Sequence, residues 1–211
     1  KDKVFSISQW IKDPNQNNFL FISSLAEAKE ILNPLVQMQL TIAINALCSI
    51  QESNKQIWFI VDELPYFDQG LSKLKDGLTM SRSFGGAFVL GTQDMSSLGR
   101  IYGQDLARVI ANNCRNKLIM NVDDSYTAKW CSELLGDGEV EEWHEGLSYG
   151  AHSMRDGVSS NKSRRLHRTV LPAEFSQLKT GEGYLKLPEL NPALIKFKDY
   201  YATPKTKGLI E

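Results

Sequence analysis

The period of the apolar positions changes several times along the 211 residues. Phe5 to Ile11 alternates weakly, a faint strand pattern that stops at Asp13-Pro14. "NNFLFISS" is a short apolar run between polar clusters, the signal of a buried strand. "SSLAEAKEILNPLVQMQLTIAINALCSIQ" then predicts a helix. Leu35, Met38, Ile42, Ala46 and Leu47 recur at helical spacing, Ser23 or Ser24 stands at the cap, and Glu27 is in capping-box range. Pro34 has no amide hydrogen to give a helix interior, so a kink or restart is expected there. The apolar run over 40–50 is too short to span a bilayer and reads as a buried helix face.

"IWFIV" is a continuous apolar run, typical of a parallel strand covered on both faces. Helices follow over 68–83, 104–112 and 125–135, and "GGAFVLGTQD" and "NKLIMNV" supply two further strands. This alternation predicts an α/β fold with a mostly parallel sheet flanked by helices. From Gly136 the pattern is lost. "GDGEVEEWHEG" is acidic, and "SYGAHSMRDGVSSNKSRRLHR" is polar, mostly basic and without period, so it reads as an exposed loop. "HRTVL", "GYLKLP" and "ALIKFKDYY" are short strand candidates for an antiparallel extension on the sheet edge. Residues 1–135 and 136–211 are thus expected to be two parts of one domain, and no internal repeat is evident.

Composition narrows the function classes. An apolar fraction of 42% is enough for a core. Twenty-four basic and 25 acidic residues leave a net charge of −1, so bulk charge draws the chain to neither nucleic acid nor membrane, and any basic surface is local. Cys48, Cys114 and Cys131 are widely spaced, read as small buried apolar residues, and fit a reduced cytoplasmic setting. His144, His152 and His167 stand far from any cysteine, so no zinc site is expected. Trp10, Trp58 and Trp130 read as core and Tyr200-Tyr201 as a packed chain end. Opening on "KDKVFSISQWI", the chain reads as a piece of a longer protein.

The candidate chemistry begins where "IWFIV" runs into Asp62-Glu63. In open parallel sheets, ligands bind in the crevice at the carboxyl ends of strands. One carboxylate there can hold the water shell of Mg²⁺, a hard cation, while its neighbour orients an attacking water, the layout of a Walker B element. The alternative is a helix cap with an exposed partner. The next strand, "FVLGTQD", ends in Thr92-Gln93 one crossover later and opens into the same crevice. The Gln93 amide, donor and acceptor at once, suits a terminal phosphate or the attacking water. Arg82, at the end of the crossover helix, is a surface charge, a cation at a helix C-terminus, or a finger reaching a neighbouring subunit's nucleotide. Arg155, Lys162, Arg164, Arg165 and Arg168 gather positive charge in one region, either a solvated loop or a grip on DNA phosphates. The acidic run Glu139, Glu141, Glu142 and Glu145 would repel DNA. Trp143 within it either packs on the sheet edge or marks a protein contact.

"FSISQWI", "LFISS", "IWFIVDELPYF", "SRSFGGAFVLGTQD", "IYGQDLARVIANNCRNKLIM" and "LPAEFSQLKTGEGYLKLP" stand in order over 5–198. Together they resemble successive blocks of the type IV secretion coupling proteins, the TraD-like ATPases of conjugative plasmids. The resemblance implies a RecA-like P-loop NTPase core, here its carboxyl-side half, over 1–135, with 136–211 as an extension of the same domain. It implies a hexameric motor on the cytoplasmic face of the bacterial inner membrane that binds DNA and hydrolyses ATP with Mg²⁺. Such a motor passes relaxosome proteins and DNA to the type IV secretion channel. It makes Asp62 and Glu63 the Walker B pair, Gln93 the motif after it, and Arg82 the candidate arginine finger. The family's phosphate loop, Gly-x-x-x-x-Gly-Lys-Ser/Thr, is absent, so the isolated chain is expected to be inactive as an ATPase. HerA/FtsK-like DNA translocases share the Asp-Glu and Gln elements, and a non-catalytic relaxosome- or substrate-binding module is the reading from a different class.

Overall fold

The computed structural model describes residues 5–15, 17–23, 26–50, 56–67, 70–71, 73–148 and 157–198. Two compact units divide the chain, Lys1–Arg115 and Asn116–Glu211.

The first unit opens with a helix where a weak strand was expected. Ser6 caps α1 (Ile7–Lys12), its hydroxyl accepting from the Gln9 amide. Once the cap sets a helical period, Ile7, Trp10 and Ile11 fall on one face, and all three join the core. "NNFLFISS" forms no strand over its described residues. Phe19 and Phe21 are 84% and 86% exposed, and their rings contact one another rather than a core. Among the described residues no strand pairs with it, so the apolar run has no ladder to join.

A 3₁₀ turn (Ala26–Ala28) leads into α2 (Lys29–Cys48), which passes through Pro34 without a break. Pro34 sits early in the helix, so the hydrogen bond it forfeits belongs to the carbonyl of Glu30, in the first turn. Ala28 takes the cap position and makes no side-chain bond, so Ser23 does not cap; Ser24 lies outside the described residues. The buried face is Ala43, Ile44, Ala46 and Leu47, packed with Ile57 and Phe59, while Leu35, Met38 and Ile42 lie off it, exposed. By length and composition α2 could cross a membrane; its buried carboxyl-terminal half makes it the core helix of this unit.

β1 (Ile57–Val61) is followed by α3 (Leu74–Met80), a 3₁₀ turn (Ser81–Phe84) and β2 (Gly86–Leu90). The strands pair in parallel, from Ile57 opposite Gly86 to Val61 opposite Leu90, and Phe59 stacks on Phe88 at 4.7 Å. Only one face of β1 is covered. Trp58 and Ile60 are 60% and 68% exposed, so Trp58 is not a core residue here. α4 (Met95–Tyr102) and α5 (Gln104–Asn113) complete the unit.

The second unit contains β3 (Lys117–Ile119), α6 (Ser125–Leu135), β4 (Asp137–Ser148), β5 (Gly157–Arg168), α7 (Pro172–Phe175), β6 (Glu182–Lys186) and β7 (Ala193–Lys196). β6 is central, antiparallel to β7, as expected of the extension, and antiparallel also to β3, which the strand-helix alternation had assigned to the parallel sheet. Its core joins Ile119, Ala128, Cys131 and Leu135 to Val170 and Phe175, with Trp130 packed against it. The Ser132 hydroxyl donates to the Val170 carbonyl at 2.6 Å. This contact of α6 with later residues places the unit boundary ahead of the composition change at Gly136.

The stretch read as an exposed loop is half of an antiparallel ribbon. β4 and β5 pair from Asp137 opposite Arg168 to Ser148 opposite Gly157. Cys131 is buried, while Cys48 and Cys114 are half-buried. Tyr200, Tyr201 and His152 lie outside the described residues.

Candidate active site

β1 and β2 run side by side, and their ladder continues beyond the strands. The Gly91 amide donates to the Val61 carbonyl and the Leu64 amide to the Gly91 carbonyl, both at 2.8 Å. Asp62-Glu63 is thereby held against Gly91-Thr92-Gln93 at the carboxyl edge of the pair. Gln93 Nε2 donates to Glu63 Oε2 at 2.8 Å. The residues that the sequence placed one crossover apart are thus in direct contact.

Each partner is fixed from behind. Glu63 has an extended backbone and precedes the 3₁₀ turn Leu64–Tyr66, with Pro65 restricting that turn and Leu64 buried beneath it. The Glu63 carboxylate makes no capping bond to this turn, so the helix-cap alternative is not realised. Lys29 lies 4.6 Å from the centre of the Tyr66 ring, and Asn33 Nδ2 donates to the Tyr66 carbonyl at 3.4 Å, so the start of α2 pins the turn. On the other side Asp94 caps α4, accepting from the Ser97 amide, and the Thr92 hydroxyl donates to the Asp94 carbonyl at 3.0 Å. Gln93 therefore stands between a ladder and a cap. Asp62 is exposed and Glu63 half-buried.

Arg82 is not part of this cluster. It lies exposed in the turn entering the amino end of β2, closed by Gly85 in the left-handed region. The five residues of β2 separate it from the carboxyl edge, roughly 16 Å at the usual strand rise.

The basic residues stand on β5 beside an acidic strand. Arg164 Nε is 3.3 Å from Glu141 Oε1, and Arg168 reaches Asp137 at 3.0 Å and Glu133 at 3.9 Å. Arg165 is exposed. Lys162 is opposite Trp143 in the register, and Arg155 lies outside the described residues. Among the described residues no three His, Cys, Asp or Glu gather as a metal cage. A single exposed carboxylate such as Asp62 suits instead an ion that keeps most of its waters, as Mg²⁺ does.

Sequence reasoning missed Gly91, whose closeness to Asp62 lets the strand ends meet, and the clamp of Lys29 and Asn33 on Tyr66. An isolated glycine in a strand pattern was the available signal for the first. The second joins residues far apart in the chain and has no local signal.

The model of the family described as the type IV secretion-system coupling protein DNA-binding domain matches residues 1–197. The chain belongs to this family. Coupling protein TraD of Escherichia coli (strain K12) is 32% identical over 205 residues, which cover 95% of this chain and 28% of TraD. The unbound monoclinic form of the bacterial conjugative coupling protein TrwBdeltaN70 superposes with a TM-score of 0.82 at 26% identity, over 96% of this chain and 46% of that one. TrwB with the ATP analogue ADPNP gives a TM-score of 0.82 at 26% identity over 98% and 46%, and TrwB with ADP and Mg²⁺ gives 0.80 at 26% identity over 97% and 45%. The coupling-protein chain thus has the α/β, RecA-like fold of these relatives and spans less than half their length. Of the readings the sequence left open, the family match selects the coupling protein over the HerA/FtsK-like translocases.

Proposed function

We propose that this coupling-protein chain carries the hydrolytic edge of an ATP-driven motor that moves DNA into a type IV secretion channel during bacterial conjugation. The observation that carries the proposal is the Glu63–Gln93 hydrogen bond at the carboxyl ends of adjacent parallel strands, the place where open α/β sheets bind ligands. Glu63 orients the attacking water and accepts its proton, Gln93 holds the Glu63 carboxylate in place, and Asp62 holds Mg²⁺ through water. When bound, Mg²⁺ neutralises charge on the phosphates. TrwB, whose fold this chain shares, has been captured with ADP and Mg²⁺ and with an ATP analogue.

The remaining parts belong to the longer protein. Its phosphate loop supplies the backbone amides and lysine that this chain lacks. Arg82, at the sheet edge away from Glu63, serves a neighbouring subunit in a homo-hexameric ring. DNA, relaxosome proteins and the secretion channel are the partners, and the motor works at the cytoplasmic face of the inner membrane. Gln93→Ala in the whole protein should keep ATP binding and lower kcat about a hundredfold. Unchanged kcat would remove Gln93 from the machinery.

A further inference from the structure

The distance between Glu63 and Gln93 has a backbone cause. A Cβ placed on Gly91 would lie 1.9 Å from the Asp62 carbonyl oxygen and 2.9 Å from its carbonyl carbon, and real Cβ atoms stay beyond 3.0 Å. The obstacle is main chain, with no side chain free to swing aside. Gly91 does not have a positive φ, so it is needed here for space and not for an unusual backbone conformation. It also carries both hydrogen bonds that extend the ladder, to Val61 and from Leu64. Those bonds bracket Asp62-Glu63 on one strand, and Gln93 follows Gly91 by two residues on the other.

We propose that Gly91 is a positioning residue: its missing side chain lets the two strand ends close to the distance at which Gln93 grips Glu63. The inference rests on the hydrolytic reading of Glu63. A methyl group at Gly91 must part the strand ends by roughly 1 Å or more to reach ordinary contact distances. The 2.8 Å bond cannot survive that displacement without a new path for one strand. A catalytic group misplaced by about 1 Å loses on the order of a hundredfold in rate.

Two variants of one strand separate this role from general support of the sheet. Gly86 lies at the amino end of β2, where a Cβ would meet Ser81 Cβ at 2.6 Å and Leu47 Cδ2 at 2.7 Å, away from Glu63 and Gln93. In the whole protein, Gly91→Ala should lower kcat for DNA-stimulated ATP hydrolysis about a hundredfold, with KM for MgATP within about twofold and the ring intact. Gly86→Ala should lose stability to denaturant through its crowding of Ser81 and Leu47. In this 211-residue chain labelled with ¹⁵N, the Gln93 side-chain amide resonance should move in Gly91→Ala to its position in Glu63→Ala. It should stay in place in Gly86→Ala.

Wild-type kcat or an unmoved resonance in Gly91→Ala would overturn the proposal, as would an equal displacement of the resonance in Gly86→Ala. A Gly91→Ala chain that fails to fold while Gly86→Ala folds assigns the glycine to the fold and also overturns it. If neither folds, Gln93→Asn decides, because this exposed residue becomes one methylene shorter without touching the strands. Its kcat should fall about a hundredfold, and an unchanged kcat would sink the idea. The resonance needs no turnover. If Glu63 proves not to be catalytic, the resonance still shows whether Gly91 sets the distance, so the two readings fail separately.

Discussion

Glu63 has two ways to satisfy its carboxylate at the end of β1: it caps the turn that follows, or it turns to the neighbouring strand. A capping bond would make it a structural residue. The structure takes the second course, with Gln93 as donor at 2.8 Å. Residue-scale chemistry also governs Cys131. Burial on the core face of α6 pushes its thiol from the ordinary 9.0 up to about 12, so it is an inert core residue. Below pH 9.0 the thiol is neutral in the folded and unfolded chains alike and contributes fully to stability. As pH rises toward about 12, the unfolded chain ionises while the folded chain keeps its proton, and stability is lost. Burial shifts Cys48, Tyr102 and Tyr184 in the same direction. Denaturant midpoints of this chain should fall between about pH 8 and about pH 10.5, and Cys131→Ala should flatten the fall. An identical slope in the variant would contradict this account of the thiol.

At the scale of elements, the β4–β5 ribbon sets a condition on DNA contact. Arg164 faces Glu141 across the ribbon and Arg168 faces Asp137, exposed pairs of modest worth. If β5 touches phosphates, Arg164 must exchange Glu141 for DNA. Glu141→Gln should then tighten salt-sensitive DNA binding by the whole protein, and Arg164→Gln should weaken it and reduce the salt slope by about one. Unchanged affinity in both variants would put the ribbon outside the DNA path. What the sequence disclosed follows from how local each element is. α6 could be read to its ends because Asp124 caps it by accepting from the Thr127 amide, and its apolar face repeats at helical spacing. β1 and β2 were legible as apolar runs broken by Asp62 and Gly91. α1 was misread because Ser6 outweighs a weak alternation, and "NNFLFISS" because pairing depends on residues elsewhere in the chain. The acidic and basic strands of the ribbon read as separate charge runs, because their pairing joins residues far apart in the chain. Glu63 and Gln93 were legible because a single crossover fixes which strand ends meet. Gly91 was not singled out, since its role depends on a distance between two backbones.

On the scale of the whole molecule, the proposed function makes the chain one edge of a nucleotide site. It spans 28% of TraD and under half of TrwB, and it contains no Gly-x-x-x-x-Gly-Lys-Ser/Thr loop. The isolated chain should therefore show no Mg-ATP turnover. Turnover that disappears in Glu63→Gln would show that this edge suffices without a phosphate loop. The central claim is that Asp62-Glu63 ends a core strand in order to hold Mg²⁺ and the attacking water. DNA-stimulated ATP hydrolysis by the whole protein, with and without Glu63→Gln, tests it most directly, because this substitution removes the negative charge and changes the side chain little. The account predicts that turnover collapses while ATP still binds and the ring still assembles. Turnover at the wild-type rate in Glu63→Gln would make the pair structural and contradict the claim.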